Sequence, residues 1–449
     1  MNTPLRILCS AGALALAAFA PPQADEQADL VRMLDGKEHR GRVVFEDAER
    51  VVLRRGSREL ELSRHEVEEV QSLERSQASV LAHALVIPKG SLRDLADMAR
   101  LCEARGLPGL GALINYKILL LDPEDQGAHE RLGHRKRSKQ WTAPLDGRWY
   151  RWRELLELRR DWNEAWELET THYRLRCNLP LADAIDATLD LERFYLFFHE
   201  ALGSPLDLRG AAAPLEVHLH GDEKSYIEIG DGRLGWYDTA ARTVKVDGSR
   251  GRARKLLLHE ATHQLLEVGK NGLIDAGSVV PAWAGEGLAE YLAESLTGDP
   301  GEAQFQLGRV SNLNVYAHAH AEEPETLDNL LSLTRSDFLT PKRAELRYAQ
   351  AYTLVHFCME GAEGRYRDLF LDYLRKTRGA GLVLELQGLR GRGSRVLRAG
   401  LAGPRDPACG RALKRELRRG TVPPCLARSP SCASFSRPIP RPTSRSRRS

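Results

Sequence analysis

Residues 255–268 read KLLLHEATHQLLEV, and within them His259, Glu260 and His263 form an HExxH motif. Ser249 before it and Gly269 after it predict a helix. Positions i and i+4 share a helix face, so the two imidazoles project side by side at a spacing that suits one metal ion. Glu260 sits about 100° round the helix from His259, which sets its carboxylate beside such an ion rather than on it. Neutral imidazole nitrogens suit zinc, and a catalytic zinc takes three protein ligands and keeps its fourth position for water.

A third ligand is therefore expected, and the following helix offers it. Residues 281–291, PAWAGEGLAEY, carry Pro281 near the helix start and Glu286 and Glu290 at i and i+4 on one face. Twenty-two residues separate His263 from Glu286. That is room for the first helix to stop at Gly269, a loop to turn through Gly272 and Gly277, and a second helix to return alongside.

HEATHQ followed by WAGEGLAEY resembles the gluzincin zinc peptidases, and is nearest to the gluzincin-like domains of secreted bacterial proteins of unassigned substrate. The resemblance implies one Zn2+ ion held by His259, His263 and Glu286, with Glu260 as general base. It makes Glu290 a carboxylate that orients one of the histidines, a role metal sites commonly need. It also implies an α+β fold of the gluzincin/thermolysin-like kind, a small mixed sheet with an edge strand over the HExxH helix, then a helical lobe. A metzincin is excluded, because Leu266 and Gly269 stand where that pattern needs Gly and His.

The chain of 449 residues is long enough for two to four domains. Residues 1–24 carry Arg6 and then the apolar run ILCSAGALALAAFA, which predicts an export signal; a retained anchor is the competing reading. Residues 25–73 alternate apolar and polar, with Asp35-Gly36 as a turn, and predict a small antiparallel β module resembling SH3-like or Sm-like barrels. Val31 and Met33, Val43 and Phe45, Val51 and Leu53, and Leu60 and Leu62 are each expected to share a strand face. Residues 74–169 predict a helical region with a tetratricopeptide-like αα-hairpin over 92–121, broken at Gly106-Leu107-Pro108. The Trp- and Arg-rich stretch from 141 to 169 is expected to pack between domains, since five acids from Glu154 to Glu167 dilute its charge too far for a nucleic-acid platform.

The catalytic domain is expected over 170–378. Strands are predicted at 172–176 and 215–220, a helix at 181–202, and a hairpin from 234–238 to 243–246. In gluzincins, which this order resembles, such an edge strand borders the cleft. Trp236 and Tyr237 would lie on it, where exposed N–H and C=O groups could take up an extended peptide by strand addition; a covered edge is the competing reading. A helix over 347–359 places Tyr348 and Tyr352 one turn apart; either hydroxyl could stabilise an oxyanion, with core packing the competing use. His318 and His320 read as solvated loop residues.

Residues 379–449 predict a disordered basic tail. From 390 onward, 16 Lys and Arg face two acids, so the net +3 divides into +14 there and −11 in the rest. A shifted reading frame in a GC-rich gene would leave the same signature. The seven cysteines show no CxxC spacing, and Cys102, Cys177 and Cys358 are expected as buried small hydrophobes.

These features together predict an exported zinc metallopeptidase acting on protein or peptide, with no specific nucleic-acid partner and no membrane span after signal removal. Two other readings stand beside it: an inactive scaffold of the same fold that binds a cell-envelope component, and a zinc hydrolase of non-peptide amides. The sequence leaves the oligomeric state open.

Overall fold

The structure, a computed structural model, describes residues 29–227, 233–249, 253–269, 280–321 and 323–376. The expected export signal, the turn through Gly272 and Gly277, and the basic tail lie outside the described residues. The described chain is α+β with open sheets, and it divides into two compact units. No helix among the described residues is long and apolar enough to cross a membrane.

The first unit spans residues up to Gly272 together with Gly298–Gln304. It opens with β1 (Asp29–Met33), β2 (Glu38–Glu46), β3 (Arg50–Arg55), β4 (Arg58–Ser63) and β5 (Val67–Gln71). They form an open antiparallel sheet in the order β4-β3-β2-β1-β5 rather than a closed barrel. Val31, Met33, Val51, Leu53 and Leu62 fill one core, with Val43 and Leu60 against it.

Phe45 departs from the expected face. Val43 pairs with Leu53 but Phe45 pairs with Val52, so Val44 is an extra residue in β2, a β-bulge. The bulge reverses the alternation, and Phe45 joins Val44 and Val52 in a separate cluster. Gly210 lies against this part of the module, its N–H donating to the Val44 carbonyl at 2.7 Å. The module is thus hydrogen-bonded into its own unit.

Next come α1 (Leu73–Ala84), α2 (Leu92–Ala104), α3 (Pro108–Leu121) and α4 (Gln126–Arg131). The predicted hairpin is α2 and α3, opened by the Ser91 cap and by Pro108 in the first turn. Beyond α4 the region is not all helical as expected. It forms a three-stranded sheet of β6 (Arg135–Arg137), β7 (Gln140–Leu145) and β8 (Arg148–Arg151), then the short helix α5 (Trp152–Leu158). Trp141 and Trp152 are buried there and pack around His129.

A second five-stranded sheet follows, formed as the chain runs through β9 (Trp166–Glu169) and β10 (Tyr173–Cys177), then α6 (Leu181–Phe198) and α7 (Ser204–Leu206), β11 (Leu215–His220), α8 (Glu223–Ile227), β12 (Gly235–Asp238) and β13 (Thr243–Asp247). Its order is β12-β13-β11-β10-β9. β10, β11 and β13 run parallel, and β9 and β12 run antiparallel on the two edges. Leu175, Val217 and Val244 are buried on this sheet. The helix α9 (Ala253–Gly269) lies along β12 and β13 and beside α6. Cys102 and Cys177 are buried free thiols, as is Cys358 in the second unit; burial pushes the Cys102 thiol up to about 11 and those of Cys177 and Cys358 up to about 12.

The chain continues through α10 (Ala282–Glu294), β14 (Leu296–Thr297), β15 (Gln304–Phe305), α11 (Asn312–Ala319), α12 (Leu327–Ser332), α13 (Arg335–Phe338), α14 (Ala344–Gly364) and α15 (Arg367–Lys376). The second unit is mainly helical, with α10 packed along α14. The segment read as a loop with His318 and His320 is helical as far as Ala319. Gly287 sets the closeness of α10 and α14: a Cβ there would stand 2.5 Å from the Ala351 carbonyl oxygen and 2.7 Å from Val355 Cγ2. Gly287→Ala is expected to lower stability by about 1–3 kcal/mol through overpacking. Denaturant unfolding checks this, and an unchanged midpoint would count against the close approach.

Candidate metal centre

The HExxH helix carries an apolar face of leucines and alanines, and several of its polar residues are buried beside that face. Leu257, Leu258, Ala261 and Leu265 are almost fully covered, and His259 and Glu260 are buried with them at 6% and 8% exposure. Gln264 docks α9 on the sheet by donating from Nε2 to the carbonyls of Glu216 and Arg242, both at 3.0 Å. The first turn is fixed by Arg254, whose Nε donates to buried Asp190 on α6 at 2.5 Å, while its two Nη atoms donate to the carbonyls of Gly298 and Asp299. Asp190 also accepts from Ala303 N at 3.1 Å. No motif in the sequence singles out Gln264, Arg254 or Asp190.

The helix then presents its histidines as the motif predicts. His259 Nε2 and His263 Nε2 stand 3.3 Å apart, with their rings inclined at 71°. Two ligand nitrogens about 2.05 Å from a tetrahedral ion are separated by about 3.3 Å, so the two atoms have the spacing of one tetrahedral edge. Glu286 comes from α10, where Trp283, Ala284, Leu288, Ala289 and Leu292 pack into the core and the Glu286 residue is 2% exposed. One ligand atom from each of His259, His263 and Glu286 lies within 4.8 Å of the others. Among the described residues these three form the group able to hold a metal ion. Two imidazoles and a carboxylate are a donor set that fits zinc.

The other predicted positions are distributed as follows. Glu290 is half-buried one turn beyond Glu286 and accepts from the Asn314 amide at 3.3 Å. Trp236 and Tyr237 are successive on β12 and so point to opposite faces. Trp236 pairs with Lys245 and stacks under its ammonium, 5.2 Å from the ring centre. Burial, and then the Glu267 carboxylate of α9, push the Tyr237 hydroxyl above its usual value. β12 stands at the sheet edge, and no further strand among the described residues pairs with it. Tyr348 is half-buried, edge-to-face on Phe338 at 5.4 Å. Tyr352 is fully buried, its hydroxyl accepting from Ser311 N at 2.7 Å and donating to the Arg309 carbonyl at 2.9 Å. A residue the sequence did not point to, Arg335, places Nη2 3.2 Å from Glu286 Oε1.

Residues 255–380 match a protein family described as "Protein of unknown function (DUF1570)". The match begins four residues before His259 and contains His263 and Glu286 as well. No curated protein and no solved structure matches the chain.

Proposed function

We propose that this chain is a zinc-dependent metallopeptidase of the gluzincin kind, exported from the cell and acting on protein or peptide substrates. The observation that carries the reading is the meeting of His259, His263 and Glu286 ligand atoms within 4.8 Å, with the imidazole nitrogens one tetrahedral edge apart. The likeness of HEATHQ and WAGEGLAEY to gluzincins supports it, as does the apolar run behind Arg6 for export.

In this reading His259 and His263 offer their Nε2 lone pairs, and Glu286 contributes the negative charge that two neutral imidazoles lack. Zinc would supply Lewis acidity, lowering the pKa of a water from about 15.7 to about 7. Glu260 is the next residue on the helix but not on the histidine face, and its carboxylate takes the proton as water attacks the scissile carbonyl. It then passes that proton to the leaving amine. Its low exposure keeps this transfer away from bulk water.

The full chain, purified without chelator, is expected to hold one zinc per molecule by elemental analysis. Treatment with 1,10-phenanthroline should abolish cleavage of a mixed-sequence peptide library, and added zinc should restore it. Cleavage that survives complete metal removal would sink the proposal, as would a purified protein that takes up no divalent ion.

A further inference from the structure

Between residues 135 and 151 the chain has six Lys and Arg against one acid, Asp146, although residues 1–389 as a whole carry −11. All six cations are exposed on the β6-β7-β8 sheet or its first turn. Residues opposite one another in an antiparallel pair share a face, so the register sets Arg135, Arg137, Trp149 and Arg151 around Gln140, Thr142 and Pro144 of β7. Trp141 and Ala143 take the other face and are buried. The face with the three arginines is therefore the outer one, and it carries no acid. The five acids from Glu154 to Glu167 follow the sheet in sequence and form no part of it.

The two β6 arginines reach across β7 to the Trp149 indole, their guanidinium carbons 4.8 Å and 4.9 Å from the ring centre. None of the six cations forms an ion pair with a carboxylate among the described residues. On the second five-stranded sheet, by contrast, Arg174 is paired with both Glu169 and Glu216. A guanidinium stacked by its flat face can still donate from its N–H edges, whose fork matches the oxygens of a phosphate.

We infer that this outer face docks on the surface of a bilayer rich in anionic phospholipids. Clustered cations of this number suit a plane of phosphate headgroups, and tryptophan is a residue type of the headgroup level. A single-stranded nucleic acid would need an open ring for its bases to stack on, whereas Trp149 already carries two guanidinia. The docking needs no membrane span and does not depend on the metal centre.

The test is co-sedimentation of the full chain with vesicles of phosphatidylcholine alone or with about one third phosphatidylglycerol. Wild type is compared with Arg151→Gln and with Arg135→Gln, Arg137→Gln and Arg151→Gln combined. Each cation near an anionic surface strengthens binding roughly fivefold, so the single variant should partition about fivefold more weakly and the triple variant about 10²-fold. The basic tail is the same in all three chains, so the differences report the sheet. Raising the salt from about 0.1 M to about 1 M, which shortens the Debye length from about 10 Å to about 3 Å, should release wild type. Arg151 makes no stacking contact with Trp149, so the single variant decides the matter even if the triple variant has a lowered unfolding midpoint. Wild type that does not prefer the anionic vesicles would overturn the proposal. So would variants that partition like wild type, which would assign the binding to the tail, and so would tighter binding to single-stranded DNA than to the vesicles.

Discussion

Glu260→Gln is expected to retain its zinc and to lose peptide hydrolysis by about 10²–10⁴-fold, the usual contribution of a positioned general base. The substitution exchanges a carboxylate for an amide of the same shape, so packing around this buried residue should survive. The metal should survive too, because Glu260 lies off the face that carries His259 and His263 and is not among the three side chains whose ligand atoms converge. What disappears is the proton acceptor, and with it the later proton donor to the leaving amine. The paired measurement is zinc content together with the initial rate on a peptide that wild type cleaves. A variant that keeps its zinc and cleaves within a few-fold of wild type would remove Glu260 from the mechanism. A variant that loses its zinc would place Glu260 among the ligands instead. The same pair of measurements separates an enzyme from an inactive scaffold of this fold, which has no use for a base at this position.

Much of the centre was legible because its geometry is local. An i, i+4 histidine pair on a capped apolar stretch dictates the approach of two Nε2 atoms, and the 3.3 Å separation follows from helix periodicity rather than tertiary packing. Glu286 was legible as a helical carboxylate and candidate third ligand, but its burial and its meeting with the histidines depend on packing that spacing only permits. Arg335 was not legible at all: a one-turn helix has no periodicity to read, and its ion pair with Glu286 bridges distant parts of the chain. Phe45 was misplaced because a bulge adds one residue to a strand without any composition signal, and one residue is enough to exchange faces.

The strands at 135–151 were missed for a different reason. Their Arg, Lys, Gln and Trp residues have weak alternation, and the sign of a hairpin lay in the turns. Asp146 and Gly147 both take positive φ, 48° and 74°, which is the backbone that a two-residue hairpin turn requires. Ser138 and Lys139 do the same without a glycine. The strand β9 (Trp166–Glu169) was likewise missed, within the stretch read as helical, whereas the α2 and α3 hairpin, β10, β11, β12 and β13, and the helix carrying Tyr348 were readable from periodicity with Pro, Gly and Ser punctuation.

Glu192→Ala is expected to lower stability by about 3–5 kcal/mol, the cost of removing a buried carboxylate on which several buried donors depend. The Glu192 carboxylate is fully buried on α6 and satisfies donors from several segments at once. Oε2 accepts from His172 Nδ1 at 2.7 Å and from the Gln77 amide of α1; Oε1 accepts from His172 N at 2.9 Å and from the Thr170 hydroxyl. Alanine would strand all of these donors around a dry void. Burial alone would raise the Glu192 carboxyl, but the His172 ring and the bonds from Thr170 and His172 outweigh it and hold the group below its usual range. With the folded value below the unfolded one, the carboxylate contributes fully above the ordinary range near 4.5, and its contribution is lost as the pH falls through the lower folded value. Wild type should therefore lose stability on acidification below that range more steeply than Glu192→Ala, and the gap between their denaturant midpoints should narrow. An alanine variant within about 1 kcal/mol of wild type at pH 7 would mean that the network joining α1, α6 and the start of β10 is not a structural tie, since a satisfied buried carboxylate cannot be removed from one side at so small a cost.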